Sequence, residues 1–229
     1  MSWFRRKPEA LSPHPEFREL LFADTPLENV AATAQPASDN TPPWSFFATA
    51  AAKAKAGNQS GAKDDLRLIL EMQNLESRVY LQAWYALRGL GEKPPDDIAR
   101  QVQGMIIEIG FKKGLDTLAA YSDHSARYIN QGGNTIIWDS SEPAIISLIN
   151  DLLETGEEIV RHTQPLRGPR FSPPTRGNSH INILTYGGIH NGQGPWKALS
   201  KDPLGRIAFE RGTALMQALI AKIESMPKS

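Results

Sequence analysis

Residues 102–110 read Val-Gln-Gly-Met-Ile-Ile-Glu-Ile-Gly, and this stretch decides how the second half of the chain folds. Three isoleucines, a valine and a methionine in nine residues favour a strand, since β-branched side chains sit well on a pleated surface. The run is nearly continuous in apolar residues, which predicts a central strand covered on both faces. Working outward, Phe111-Lys112-Lys113-Gly114 leads into a second run, Leu115–Asp123. A turn at Ser122–Ser125 precedes Ala126–Asn130, and Gly132-Gly133 supplies a tight hairpin before Asn134–Asp139. Four strands joined by short turns form an antiparallel meander.

The next segment, Ser140–Val160, predicts a helix with Pro143 in its first turn and Ser140-Ser141 as its caps. Ile145, Leu148, Ile149, Leu152 and Leu153 form one apolar stripe, which should lie on a face of the meander. A proline-rich loop, 164–178, comes before a fifth strand, His180–Tyr186. The glycine-rich stretch 187–195 reads as a strand-to-helix connector, with Pro195 opening a short helix through Leu199. A last helix, about 203–225, starts at Asp202-Pro203 and carries Leu204, Ala208, Leu215, Leu219 and Ile223 inward. The expected order is β-β-β-β-α-β-α, an α+β fold with two helices packed on the sheet.

The first half differs in character. Residues 1–43 hold seven prolines (Pro8, Pro13, Pro15, Pro26, Pro36, Pro42 and Pro43), so a proline-rich arm is expected with one short helix near Phe17, Leu20 and Leu21. The arm offers Trp3, Phe4 and Arg5-Arg6-Lys7 to a partner. Residues 44–98 predict a small helical subdomain. Gly57 ends its first helix, Leu66, Ile69 and Leu70 line the second, and Val79, Ala83 and Leu87 line a third that Asn74 could cap. One such unit is too few for a solenoid, which needs about three stacked repeats. Residues 99–229 make up the α+β domain.

The chain has 229 residues, zero formal net charge and no cysteine. Zero charge gives no general attraction to nucleic acid or acidic membranes. The missing cysteines exclude disulfides and thiolate chemistry. The opening residues carry no apolar core of a signal peptide, and no run is long enough to span a membrane, so a cytoplasmic location is expected.

Charge is nonetheless uneven. From Ile159 to Lys201 there is no Asp or Glu, while Arg161, Arg167, Arg170, Arg176, Lys197 and Lys201 give this island a formal charge of +6. Arginine presents a planar fork suited to phosphate and carboxylate. The candidate ligand-binding residues are therefore Arg167, Arg170 and Arg176 of the loop, with His190, Gly188, Gly192 and Gly194 of the glycine stretch. That stretch matches neither nucleotide-loop pattern, since Gln193 stands where a phosphate-binding lysine belongs. No spacing suits a metal, and no cofactor is called for.

A general base at His190 would need one of Asp116, Asp123, His124 or Asp139 brought beside it. Nucleic acid is disfavoured, although Phe171, Tyr186 and Trp196 lie within the island. The expected function is a non-catalytic binding or adaptor protein that recognises a protein partner. The alternative is binding, or hydrolysis, of a phosphate-bearing small molecule or nucleotide at loop 164–178 and connector 187–195.

Overall fold

A computed structural model describes residues 15–33 and 41–225 of the chain. The segment Trp3–Lys7 lies outside the described residues. The meander forms as expected: β1 (Val102–Gly110), β2 (Leu115–Tyr121), β3 (Ala126–Ile129) and β4 (Thr135–Trp138) pair antiparallel in succession. β5 (Asn178–Thr185) lies on the other side of β1, opposing Glu108 with His180 and Ile106 with Asn182. The central position of β1 follows from its composition.

The glycine stretch corrects the expectation. It is a sixth strand, β6 (Gly188–Pro195), paired with β5 through a two-residue turn at Tyr186-Gly187, rather than a connector. The sheet therefore runs β4-β3-β2-β1-β5-β6. Its turn places Gly188 at φ +142°, a conformation that suits glycine, with Pro165 so close that an added Cβ would meet the ring at 3.0 Å.

Strand alternation divides the sheet into two faces. One face presents Met105, Ile107, Leu118, Ala120, Tyr128, Ile181 and Ile183 to α7 (Pro143–His162) and α9 (Pro203–Ser225). The predicted stripe of α7 packs there, with Leu148 only partly buried, but Ile223 of α9 is 42% exposed. The starts of these helices differ. Asp202 caps α9 by accepting from the amides of Leu204 and Gly205. Glu142, whose side chain makes no capping bond, stands where Ser140-Ser141 were expected to cap α7.

The opposite face presents Ile106, Ala119, Tyr121, Ile129 and Leu184, covered by Leu21, Phe22 and Ala23 of the amino-terminal segment and by Leu81. Leu81 belongs to α5 (Ser77–Gly89), which also packs with α3 (Trp44–Lys55) and α4 (Gln59–Glu71) in a separate apolar cluster. Gly57 ends α3 with φ +82°, as read from the sequence. Glu76, not Asn74, stands at the start of α5. The proline-rich region holds α1 (Pro15–Leu20) and a second helix, α2 (Leu27–Thr33), that the proline count concealed. Two one-turn helices, α6 (Asp96–Ala99) and α8 (Trp196–Leu199), complete the elements.

Candidate functional site

The loop that follows α7 crosses the β6 edge, where the Leu166 amide donates to the Ile189 carbonyl at 2.8 Å. This crossing carries residues 167–173 to the face that holds the amino-terminal segment. Between them, a cleft of about 1120 Å³ opens on the β5–β6 turn. Its walls are residues 18–28, the carboxyl-terminal part of α5 from Tyr85 with Leu90 just beyond it, and loop residues 166–173.

Two arginines tie these walls together. The Arg170 Nε donates to Asp24 Oδ2 at 2.6 Å, and a second guanidinium nitrogen bonds Glu19. The Arg18 guanidinium reaches beneath the cleft to Glu108, with Nε to Oε1 at 2.5 Å and Nη2 to Oε2 at 3.0 Å. Both guanidinium groups lie over the ring of buried Phe22, at 4.2 Å for Arg170 and 5.0 Å for Arg18. Burial favours the neutral form of Glu19, yet Arg170 and Arg18 hold its carboxyl below the usual value. Burial likewise opposes the charge on Arg170, and bonds to Glu19 and Asp24 outweigh it and raise its pKa.

Glu108 is the one charged side chain in β1 and is fully buried. Besides Arg18 it meets Asn182 Nδ2 at 3.4 Å and His180 Nδ1 at 3.8 Å. Asn182 in turn accepts from Asn191 Nδ2 at 2.7 Å. A buried charge is tolerated only when it is paired and hydrogen-bonded, and this network supplies both. Burial pushes the His180 pKa down, while Glu108 acts against that and Arg18 adds to it. The ring of Phe171 stands edge-on to His180, with centroids 6.3 Å apart.

Two other cleft arginines are not committed to a carboxylate. Arg88 donates to the Tyr186 carbonyl, and burial lowers its pKa. Arg167 is exposed and makes no ion pair among the described residues. Glu28, also exposed, lines the same cleft.

Of the seven residues expected to bind ligand, Arg167, Arg170 and Gly188 line the cleft and four do not. Arg176 is exposed in the turn before β5. His190, Gly192 and Gly194 fall on the other face of β6, toward α7 and α9, because His190 opposes Ile183. His190 is 1% exposed and lies beside Thr163 at 2.8 Å. The Thr163 hydroxyl donates to the Ile159 carbonyl, so it accepts from the His190 Nδ1 proton, which fixes the tautomer.

None of Asp116, Asp123 and Asp139 bonds His190. Asp123 holds the Ser77 and Ser125 amides, Asp139 pairs with Arg127, and Asp116 accepts from the Gln131 amide. The charge felt by His190 is that of Arg100. A carboxylate-assisted histidine base is therefore not assembled. Among the described residues, no three His, Asp or Glu side chains gather as metal ligands. No described helix is long and apolar enough to cross a membrane.

No family model, curated protein or solved structure matches this chain.

Sequence reasoning passed over Arg18, Glu19, Phe22, Asp24, Tyr85 and Arg88. A signal for one pair was present: Glu108 is the lone charge in an apolar strand, and Arg18 sits among Phe17, Leu21 and Phe22. Opposite charges embedded in apolar surroundings are candidates for each other.

Proposed function

We propose that this is a non-catalytic binding protein whose cleft receives a segment of a protein partner. The observation that carries the reading is the mixed chemistry of the cleft. Arg18 and Arg170 are already matched by Glu108, Glu19 and Asp24. The charges not matched by an opposite charge are of both signs, Arg88 and Arg167 against Glu28, beside the apolar surfaces of Phe171, Leu27 and Leu90. A phosphate site would concentrate one sign, whereas a peptide brings both charges and apolar side chains.

A photo-crosslinking residue in place of Tyr85 should capture one protein that the same probe at Leu68, exposed on α4, does not. Adding Arg167→Glu should weaken that capture by about tenfold, since a rim charge governs encounter. The opposite result is an increase in Tm with nucleotides or inorganic polyphosphate, lost in Arg167→Ala, with no protein captured at Tyr85. That outcome would assign the cleft to a phosphate-bearing ligand instead.

A further inference from the structure

The six strands end together at one edge of the molecule, away from the β5–β6 turn. Gathered there are the end of β1, the β1–β2 turn, the β3–β4 turn, the segment before β5 and the end of β6. Backbone hydrogen bonds join three of these pieces in a row. The Gly177 amide donates to the Gly110 carbonyl at 2.9 Å, and the Trp196 amide donates to the Gly177 carbonyl at 3.0 Å. Gly110 permits the contact, because a Cβ there would fall 2.3 Å from the Thr175 carbonyl oxygen.

This row brings the segments Phe111-Lys112-Lys113, Arg176 and Trp196-Lys197 to the same end of the sheet. Phe111 is 40% exposed and Trp196 46% exposed, large values for such rings. All four cations are exposed and none makes an ion pair among the described residues. Residues 111–114, 130–134, 174–177 and 194–197 contain no Asp or Glu. The acids nearest in sequence are Asp116, which accepts from the Gln131 amide and sets one negative charge against the four positive ones, and Asp202, which is turned to the start of α9.

We propose that this end of the sheet docks on an anionic lipid surface as a peripheral contact. Six strands at their usual spacing make an edge about 24 Å wide, broad enough to rest on a bilayer. Each exposed ring is followed directly by lysine, Phe111 by Lys112-Lys113 and Trp196 by Lys197. Such an order lets the ring settle at the interface while the ammonium reaches the headgroups. Three of the four cations are lysines, point charges that need no planar match to the anion. The rings stand two strand spacings apart, about 10 Å, which suits insertion at two points better than stacking of successive bases. The contact involves neither the cleft nor its ligand.

The test is flotation of the full chain with phosphatidylcholine vesicles, with and without about 30% phosphatidylserine, at low salt. Binding is expected to the anionic vesicles alone and should fade as salt shortens the reach of the charges. The double variant Lys112→Glu, Lys113→Glu should lower partitioning about tenfold or more, and Trp196→Ala should lower it with Tm unchanged. Arg167→Glu, a cleft variant, should leave it unchanged. Three results would overturn the assignment. They are no partitioning into either vesicle, equal partitioning into both, and a single-stranded oligonucleotide bound in place of vesicles and lost in the same variants.

Discussion

At the scale of single residues, His190 shows how burial sets chemistry. Desolvation, helped by the Arg100 charge, pushes its pKa from 6.5 down to about 4, so the folded protein holds a neutral imidazole across the physiological range. Above pH 6.5 both folded and unfolded chains carry the neutral form, and His190 takes nothing from stability. As pH falls from 6.5 to about 4, the unfolded chain accepts a proton that the folded chain refuses, and stability drops. The whole interval corresponds to about 3 kcal/mol. His190→Asn keeps a donor for Thr163 but cannot titrate. Urea unfolding at stepped pH should therefore show a shallower loss between pH 6.5 and 4 in this variant than in the parent, with His180 sustaining part of the slope. Equal slopes would mean that His190 is not the group held neutral. The same burial answers the catalytic question, since a base facing α7 with a threonine for a partner has no carboxylate to assist it.

At the scale of elements, legibility followed side-chain content. β1 to β5 could be read because β-branched and aromatic residues mark them, and α7 because its apolar stripe is clean. β6, with Gly188, Gly192 and Gly194 in eight residues, lacks the side chains that announce a strand. It forms as the edge partner of β5, whose register it follows residue by residue. Missing that strand misplaced the site as well: only alternation reveals that His190, Gly192 and Gly194 face away from the cleft. α2 was hidden because Pro26 reads as a breaker, yet it stands just before the first turn, where a missing amide costs nothing. Elements also depend on one another in ways no local pattern predicts. The start of α5 is capped from the β2–β3 turn, with the Ser77 amide donating to Asp123 Oδ2 at 2.7 Å and the Asp123 amide returning to Ser77 Oγ at 3.0 Å. Burial would raise the Asp123 pKa, but bonds from Ser125 and Ser77 hold it below the usual aspartate value. Both carboxylate oxygens are used, so Asp123→Asn leaves one amide facing an NH2 group. A loss of about 1–2 kcal/mol in urea unfolding at neutral pH is expected, comparable to removing a helix cap. A change below a few tenths would show that water replaces the bond.

At the scale of the whole molecule, the sheet is covered by two different means. α7 and α9 cover one face with a continuous apolar core. The other face is closed partly by a charge network, in which segments 90 to 151 residues apart in sequence meet at Arg18, Glu19, Asp24, Glu108 and Arg170. A closure made this way couples its walls, because a shared guanidinium that leaves one wall also leaves its partners on the other. Arg170 is the only described link from loop residues 167–173 to the carboxylates of the amino-terminal segment. Arg170→Ala should therefore loosen both walls of the cleft together. In hydrogen exchange, amides in residues 17–30 and 166–173 should exchange about 10- to 100-fold faster, while those of Met105 and Ile106 at the centre of β1 keep their protection. Arg176→Ala, removing an exposed cation of the same loop with no ion pair among the described residues, should change neither. If the rise in Arg170→Ala were confined to 166–173, the amino-terminal wall would be held without Arg170, by the Arg18–Glu108 pair and the packing of Leu21 and Phe22, and the two walls would open independently.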